Sequence, residues 1–226
     1  MLTHLNSEEA AGFVLAGGRS SRMGSDKALS LFAGRPLVAI AVDTLAAAGL
    51  SAQIAGSRSP LSVYAPEIAD TWKTGSGAAG PLAGVHAALS VSHADWNVFL
   101  AVDSPLLPAS LLRCLLERAI LTDSPVSVAL LNGRLQPFPV VLRRSSLRVV
   151  EALLERGEYA CHAAWRSICS QQNEPIQSVA VENLIQCASL SHPLRLPPAS
   201  WFQSANTPSE LRWLNQLQHF RLNPIL

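Results

Sequence analysis

Apolar positions along this chain fall into short continuous runs and longer runs with helical spacing, and the two kinds alternate. Residues 11–15 form a short apolar run closed by Gly17-Gly18, which predicts a buried strand ending in a loop. From 36 to 50 apolar residues recur at helical spacing (Leu37, Ile40, Ala41, Leu45, Ala48), with Gly49 as the stop. Residues 52–55 read as a second strand, and 80–89, with Pro81 in its first turn, as an apolar-periodic helix. The run 96–102, W-N-V-F-L-A-V, is the clearest buried strand, and Asp103-Ser104-Pro105 closes it. An amphipathic helix follows over 109–120. Residues 126–131 and 138–142 predict two strands around a turn at Asn132-Gly133. A helix over 147–156 stops at Gly157, and a last one over 209–220 follows the Asn206-Thr207-Pro208 turn. The stretch 172–200, with four prolines, has no readable period and is expected to be irregular.

Strands alternating with helices predict an α/β fold: a three-layer sandwich with a mostly parallel, Rossmann-like sheet and helices on both faces. Ligands of such sheets bind beyond the carboxyl ends of the strands. The loops after Leu15 and Val102 should therefore share one rim. Composition narrows this further. With 226 residues, 49% of them hydrophobic, the chain can bury one substantial core, and a single domain over 1–226 is expected. Seventeen basic against 16 acidic residues leave a formal charge of +1, so neither nucleic acid nor an anionic membrane is an expected partner. Any bound anion must be held by a local site. Cys114, Cys161, Cys169 and Cys187 form no C-x-x-C pair and no zinc-like spacing with histidine, so reduced, structural thiols are expected. Residues 1–9 carry two glutamates and no basic region leading into an apolar stretch, and no apolar run approaches the ~20 residues of a membrane span. A cytoplasmic location is expected.

The most informative segment is L-A-G-G-R-S-S-R-M-G-S-D-K, Leu15 to Lys27. Its glycines allow the backbone to approach a ligand and to turn N–H groups toward one point, a nest for phosphate oxygens. Arg19, Arg22 and Lys27 add positive charge, and Ser20 and Ser21 add hydroxyl donors. The glycine order fits neither G-x-G-x-x-G nor a P-loop. A glycine-rich loop can be purely structural; three cations within twelve residues of a strand end favour anion binding. Asp103, after the most apolar strand, has two readings. It could cap the helix that follows, or it could be a ligand for Mg²⁺, which in nucleotide sites needs only one or two carboxylates beside phosphates and water.

This loop resembles the signature loop of the molybdenum cofactor guanylyltransferase family, nucleotidyltransferases with the nucleotide-diphospho-sugar transferase fold. The resemblance implies that the backbone of Leu15, Ala16, Gly17 and Gly18 meets base and phosphates, and that Lys27, with Arg22, holds the triphosphate. Asp103 fits the family's D-x-P motif as the Mg²⁺ ligand, with Ala101 where the family usually has cysteine or a similarly small residue. Asp70 precedes G-P-L-A-G (Gly80 to Gly84), a block like the family's second one, whose aspartate contacts guanine; the alternative is an ordinary loop carboxylate. Gln136-Pro137 and Gly157 align with acceptor-side positions, and Phe202 to Pro208 resembles an F-x-N-x-N-T-P block. Two positions depart from the pattern. Ala55-Gly56-Ser57-Arg58 stands where an asparagine is often found, and Ser204 replaces the first asparagine of the last block.

The implied activity is Mg²⁺-dependent transfer of GMP from GTP to the phosphate of molybdopterin or molybdenum cofactor, releasing pyrophosphate. Lys27, Arg22 and Asp103 would be the catalytic residues. Transient contact with molybdoenzymes or cofactor-delivery proteins is implied too, by a monomer or weak oligomer. Two alternatives stay open: cytidylyl transfer to the same cofactor or nucleotidyl transfer to a sugar phosphate, and a catalytically weak nucleotide-binding adaptor for cofactor delivery.

Overall fold

The computed structural model describes residues 9–17, 26–56, 60–69, 72 and 80–222. The elements run β1 (Ala10–Leu15), β2 (Leu31–Phe32), β3 (Arg35–Pro36), α1 (Leu37–Ala47), β4 (Ala52–Ala55), β5 (Glu67–Ile68), α2 (Gly80–Val91), β6 (Trp96–Ala101), α3 (Ala109–Thr122), β7 (Val126–Leu131), β8 (Arg134–Arg143), α4 (Leu147–Glu155), α5 (Cys161–Gln172), β9 (Gln177–Ala180), α6 (Val181–Gln186), α7 (Pro198–Trp201) and α8 (Pro208–Leu222). Seven strands form one sheet in the order β5-β4-β1-β6-β8-β7-β9. β8 runs against both its neighbours, and every other pairing in that sheet is parallel. This is the mostly parallel α/β sandwich that the alternation of elements predicts.

Strand residues divide between two apolar layers because successive side chains point to opposite faces. Val14, Ile54, Val98, Leu100 and Val141 join a cluster with α1, α3 and the segment beyond β9. Phe13, Leu15, Phe99, Val140 and Leu142 join the other, with α2, α4 and α5. Phe13 and Phe99 are register partners across β1 and β6, and their rings stack at 5.3 Å. Such a pair adds about 0.5–1.5 kcal/mol beyond its buried area.

The stops read from the sequence hold. Gly49 and Gly157 take positive φ of 87° and 75° just past α1 and α4. Asn132 and Gly133, at φ 49° and 72°, make the tight turn between β7 and β8. Two expectations need correction. β8 begins at Arg134, directly after that turn, rather than at 138. The register then jumps: Leu130 faces Leu135 while Val128 faces Val140, so Gln136-Pro137-Phe138-Pro139 bulges opposite Ala129. Pro137 lacks the N–H a ladder needs, which is why residues 134–137 do not read as strand. Residues 161–172 form a helix whose buried face is small, only Ala164, Trp165, Ile168 and Cys169. The supposedly irregular stretch 172–200 holds β9 and α6; β9 is a four-residue edge strand whose pattern contains only one fully buried position, Val179.

Candidate active site

Parallel pairing sets β1, β4 and β6 side by side, with Leu15 level with both Ala55 and Ala101, so their carboxyl ends form one rim. Three glycines close that rim on the β4 side. A Cβ on Gly17 would lie 2.8 Å from the Gly56 carbonyl oxygen, and Gly56 itself has φ +75°. A Cβ on Gly84, in the first turns of α2, would meet the Leu15 side chain at 3.1 Å. The second glycine of G-P-L-A-G therefore lets α2 press close against the end of β1, with its N-terminus at the same rim. Nearby, Trp72 packs edge-on against His86 of α2, ring centres 5.2 Å apart.

The strand ends already use part of their backbone. The Ala16 N–H donates to the Ala55 carbonyl at 3.0 Å, and the Val102 N–H donates to the Leu15 carbonyl at 3.1 Å. The sheet thus takes Ala16's donor, and Gly17 supplies the next N–H beyond the strand. Leu15 is buried, Ala16 half-buried and Gly17 exposed. Gly18, Arg22 and Asp70, like Arg19, Ser20 and Ser21, lie outside the described residues.

Lys27 is presented by a short turn. The Asp26 carboxylate accepts the Ala28 N–H at 2.9 Å, which caps a 3₁₀ turn over Lys27–Leu29, and Ala28 is buried in the core. The Lys27 ammonium donates to Asp103 Oδ2 at 2.5 Å and to Asn206 Oδ1 at 2.6 Å. Asp103 leaves β6 and is held by its backbone, its carbonyl accepting the Ala205 N–H at 2.9 Å. Its side chain caps nothing: α3 starts after Pro108, which offers no side-chain cap. The helix-cap reading is therefore wrong. Among the described residues, the other carboxylate oxygen, Oδ1, has the Ser104 hydroxyl at 3.5 Å as its hydrogen-bond partner.

Asn206 is aimed by the start of α8. The Thr207 hydroxyl accepts the Glu210 N–H at 3.2 Å, and the Glu210 carboxylate accepts the Asn206 N–H at 2.9 Å. This is a reciprocal cap with proline at the first helical position. The N-T-P block is thus a helix start whose preceding asparagine turns back to the lysine. Asn206 was not among the site residues expected from sequence, although the block containing it was visible.

On the far side of Asp103 stands the β8 bulge. The Trp165 indole N–H donates to the Pro137 carbonyl at 3.1 Å, and Phe138 packs edge-on against Trp165. Burial pushes the Cys161 and Cys169 thiols up to about 11, so both are neutral at pH 7.

A cation, a carboxylate and an amide oxygen from three distant segments meet on the rim where ligands of such sheets bind. The sequence profile of the MobA-like NTP transferase domain matches residues 12–175. The chain belongs to that family. A molybdenum cofactor guanylyltransferase of Rhizobium johnstonii is 31% identical over 230 residues, covering 95% of this chain and 97% of its own. One from Aliivibrio fischeri is 34% identical over 157 residues, 68% of this chain and 79% of its own. Among solved structures, molybdopterin-guanine dinucleotide biosynthesis protein A from Archaeoglobus fulgidus matches with a TM-score of 0.69 at 18% identity, over 92% of this chain and 97% of that one. That likeness bears on the fold. In this MobA-like chain the matched region carries Lys27 and Asp103, and Asn206 comes from beyond it.

Among the described residues no three His, Cys, Asp or Glu side chains gather around one point. The donor set suits Mg²⁺ shared with substrate phosphates: one half-buried carboxylate with an oxygen left over, beside an amide oxygen. Also among the described residues, no helix is long and apolar enough to cross a membrane.

Proposed function

We propose that this chain transfers GMP from GTP to the phosphate of molybdopterin or its molybdenum cofactor, releasing pyrophosphate, in a Mg²⁺-dependent reaction. The observation that carries this reading is the meeting of Lys27 with Asp103 and Asn206 on the carboxyl rim of a MobA-like sheet. An oxygen of the acceptor phosphate forms a bond to the α-phosphorus of GTP, and the bond from that phosphorus to the β-phosphate oxygen breaks. The acceptor is already an anion, so no general base is needed, and catalysis consists of positioning and charge neutralisation.

Each residue has a definite part in this scheme. The backbone at Leu15, Ala16, Gly17 and Gly18 borders base and phosphates. Lys27 and Arg22 donate to the triphosphate; Lys27 is already held on the rim by Asp103 and Asn206, so little side-chain freedom is lost on binding. Asp103 would hold Mg²⁺ through the oxygen that Lys27 leaves open, and the ion would supply neutralisation and alignment of the triphosphate oxygens. Asp70 reads guanine through its N–H and amino groups. The β8 bulge, with Gln136 and Pro137, borders the acceptor. The same reading has the enzyme at work in the cytoplasm, handing its product by transient contact to molybdoenzymes or delivery proteins. The test is pyrophosphate release with each of the four NTPs, with and without the molybdenum cofactor. Release with GTP alone among them, dependent on cofactor and abolished by chelation of Mg²⁺, is expected. Release with CTP instead, or with no cofactor dependence, would overturn the assignment.

A further inference from the structure

His192 lies in the segment between α6 and α7, beyond the residues that the family profile matches, and both of its ring nitrogens are engaged. The Leu194 N–H donates to Nδ1 at 3.0 Å, which makes Nδ1 the acceptor and leaves the ring proton on Nε2. Nε2 stands 2.9 Å from the Leu106 carbonyl oxygen and donates to it. The ring is 8% exposed and lies against Trp201, centroids 5.6 Å apart, while the Trp201 indole N–H is held by the Leu196 carbonyl at 2.9 Å. Leu106 belongs to the short loop that begins at Asp103. A second hydrogen bond between that loop and the C-terminal segment runs from the Ala205 N–H to the Asp103 carbonyl, one residue before Asn206.

We propose that His192 is a positioning residue of this transferase: by bridging the Leu106 carbonyl and the Leu194 amide it locks the 103–107 loop onto the segment that carries Asn206, and so sets the spacing of Asp103 and Asn206 around Lys27. The role in turnover rests on the guanylyltransferase reading above; the lock itself does not. Protonation of Nδ1 would place a second N–H against that of Leu194, so the lock needs the neutral ring. Burial supplies it, pushing the imidazole below its ordinary value. Titratable groups on the surrounding elements do not offset this. Asp103 is paired with Lys27, the Arg113 guanidinium of α3 reaches the Ala47 carbonyl, Arg195 is exposed, and burial keeps the Cys114 thiol of α3 neutral.

Three substitutions in the full chain separate the parts of the lock. His192→Gln can place an amide N–H where Nε2 was and keep the bond to Leu106. His192→Asn can accept the Leu194 N–H as an Asx turn does, but is too short to reach Leu106. His192→Phe keeps the ring on Trp201 and loses both bonds. Amide exchange is read first, without substrate. Asn and Phe should speed exchange of residues 103–107 and 205–207 by about tenfold or more and leave β1 as in the parent, while Gln stays close to the parent. With GTP and cofactor, Asn and Phe should lose about tenfold in kcat with KM for GTP held within about twofold, and Gln should restore kcat. Parent-like exchange in Asn and Phe, or a Gln variant as impaired as Phe, overturns the proposal. Should Asn and Phe fail to fold, Gln against parent still decides: acid should loosen the 103–107 loop in the parent and not in Gln, and equal acid sensitivity overturns the lock. A parent inactive toward GTP would overturn the guanylyltransferase reading while the exchange result still tested the lock.

Discussion

The two walls of the site are built differently. On the side proposed for the nucleotide, β1, β4 and the start of α2 meet through Gly17, Gly56 and Gly84, and the nearest atoms at these contacts are backbone and the Leu15 side chain. On the side proposed for the acceptor, β8 and the C-terminal segment are held by named side-chain bonds, from Trp165 to Pro137 and from His192 to Leu106. Backbone segments that approach one another this closely need the absence of side chains, because a Cβ would occupy the space where they meet. A wall made of a bulge and a loop has lost its ladder bonds, and side chains must satisfy the carbonyls left over. The first wall should therefore fail when atoms are added, and the second when they are removed.

Between the walls, the largest effect should come from the charge both of them face. Asp103→Asn keeps shape and hydrogen bonding but removes the carboxylate proposed to hold Mg²⁺, so turnover should fall on the order of 10²-fold or more. GTP binding without metal should fall much less. A Mg²⁺ titration of activity for both proteins checks this, and unchanged turnover would take the metal away from Asp103.

Adding one methyl to the nucleotide wall should come next. Gly17→Ala sets a Cβ 2.8 Å from a backbone oxygen that cannot move alone. It should destabilise by about 2 kcal/mol and weaken GTP by about tenfold. Gly84→Ala is crowded by the end of the Leu15 side chain, at 3.1 Å, with Ala55 backbone at an ordinary 3.8 Å, and should cost under about 1 kcal/mol. Thermal melts and GTP calorimetry on the pair test whether backbone contact is what distinguishes this wall; equal effects would say it is not.

Removing an atom pair from the acceptor wall should be milder. Trp165→Phe fills most of the same volume but leaves the Pro137 carbonyl without its donor, at about 1–2 kcal/mol. KM for the cofactor should rise with GTP affinity unchanged, and a rise in KM for GTP instead would assign Trp165 to the wrong wall. The smallest effect has a defined sign in pH. Burial lowers the His192 pKa from its ordinary 6.5, so as pH falls the unfolded chain takes up that proton first. Its contribution to stability is complete above the ordinary value and is lost as pH falls through the lowered one. The melting temperature should therefore drop further on acidification for the parent than for His192→Gln; parallel curves would show that the ring does not titrate between the folded and unfolded states.

Much of this protein is legible in its sequence because it is local. The period of apolar residues determined the alternation of strands and helices, glycines after them determined where helices stop, and the loop from Leu15 to Lys27 pointed to phosphate before any strand was paired. The run 96–102 followed by Asp103 marked a strand ending in a carboxylate. What stayed hidden depends on partners far along the chain. β9 is four residues long and is a strand only because β7 offers it an edge. The β8 bulge reads as a break until Trp165 is seen to satisfy it. Asp103 could be a cap or a ligand until α3 proved to start at Ala109, after Pro108, and Lys27 proved to reach it across 76 positions. Asn206 stands 179 positions from the lysine it touches. Local free energies write themselves into neighbouring residues, whereas a contact between distant segments exists only once the sheet has set their spacing.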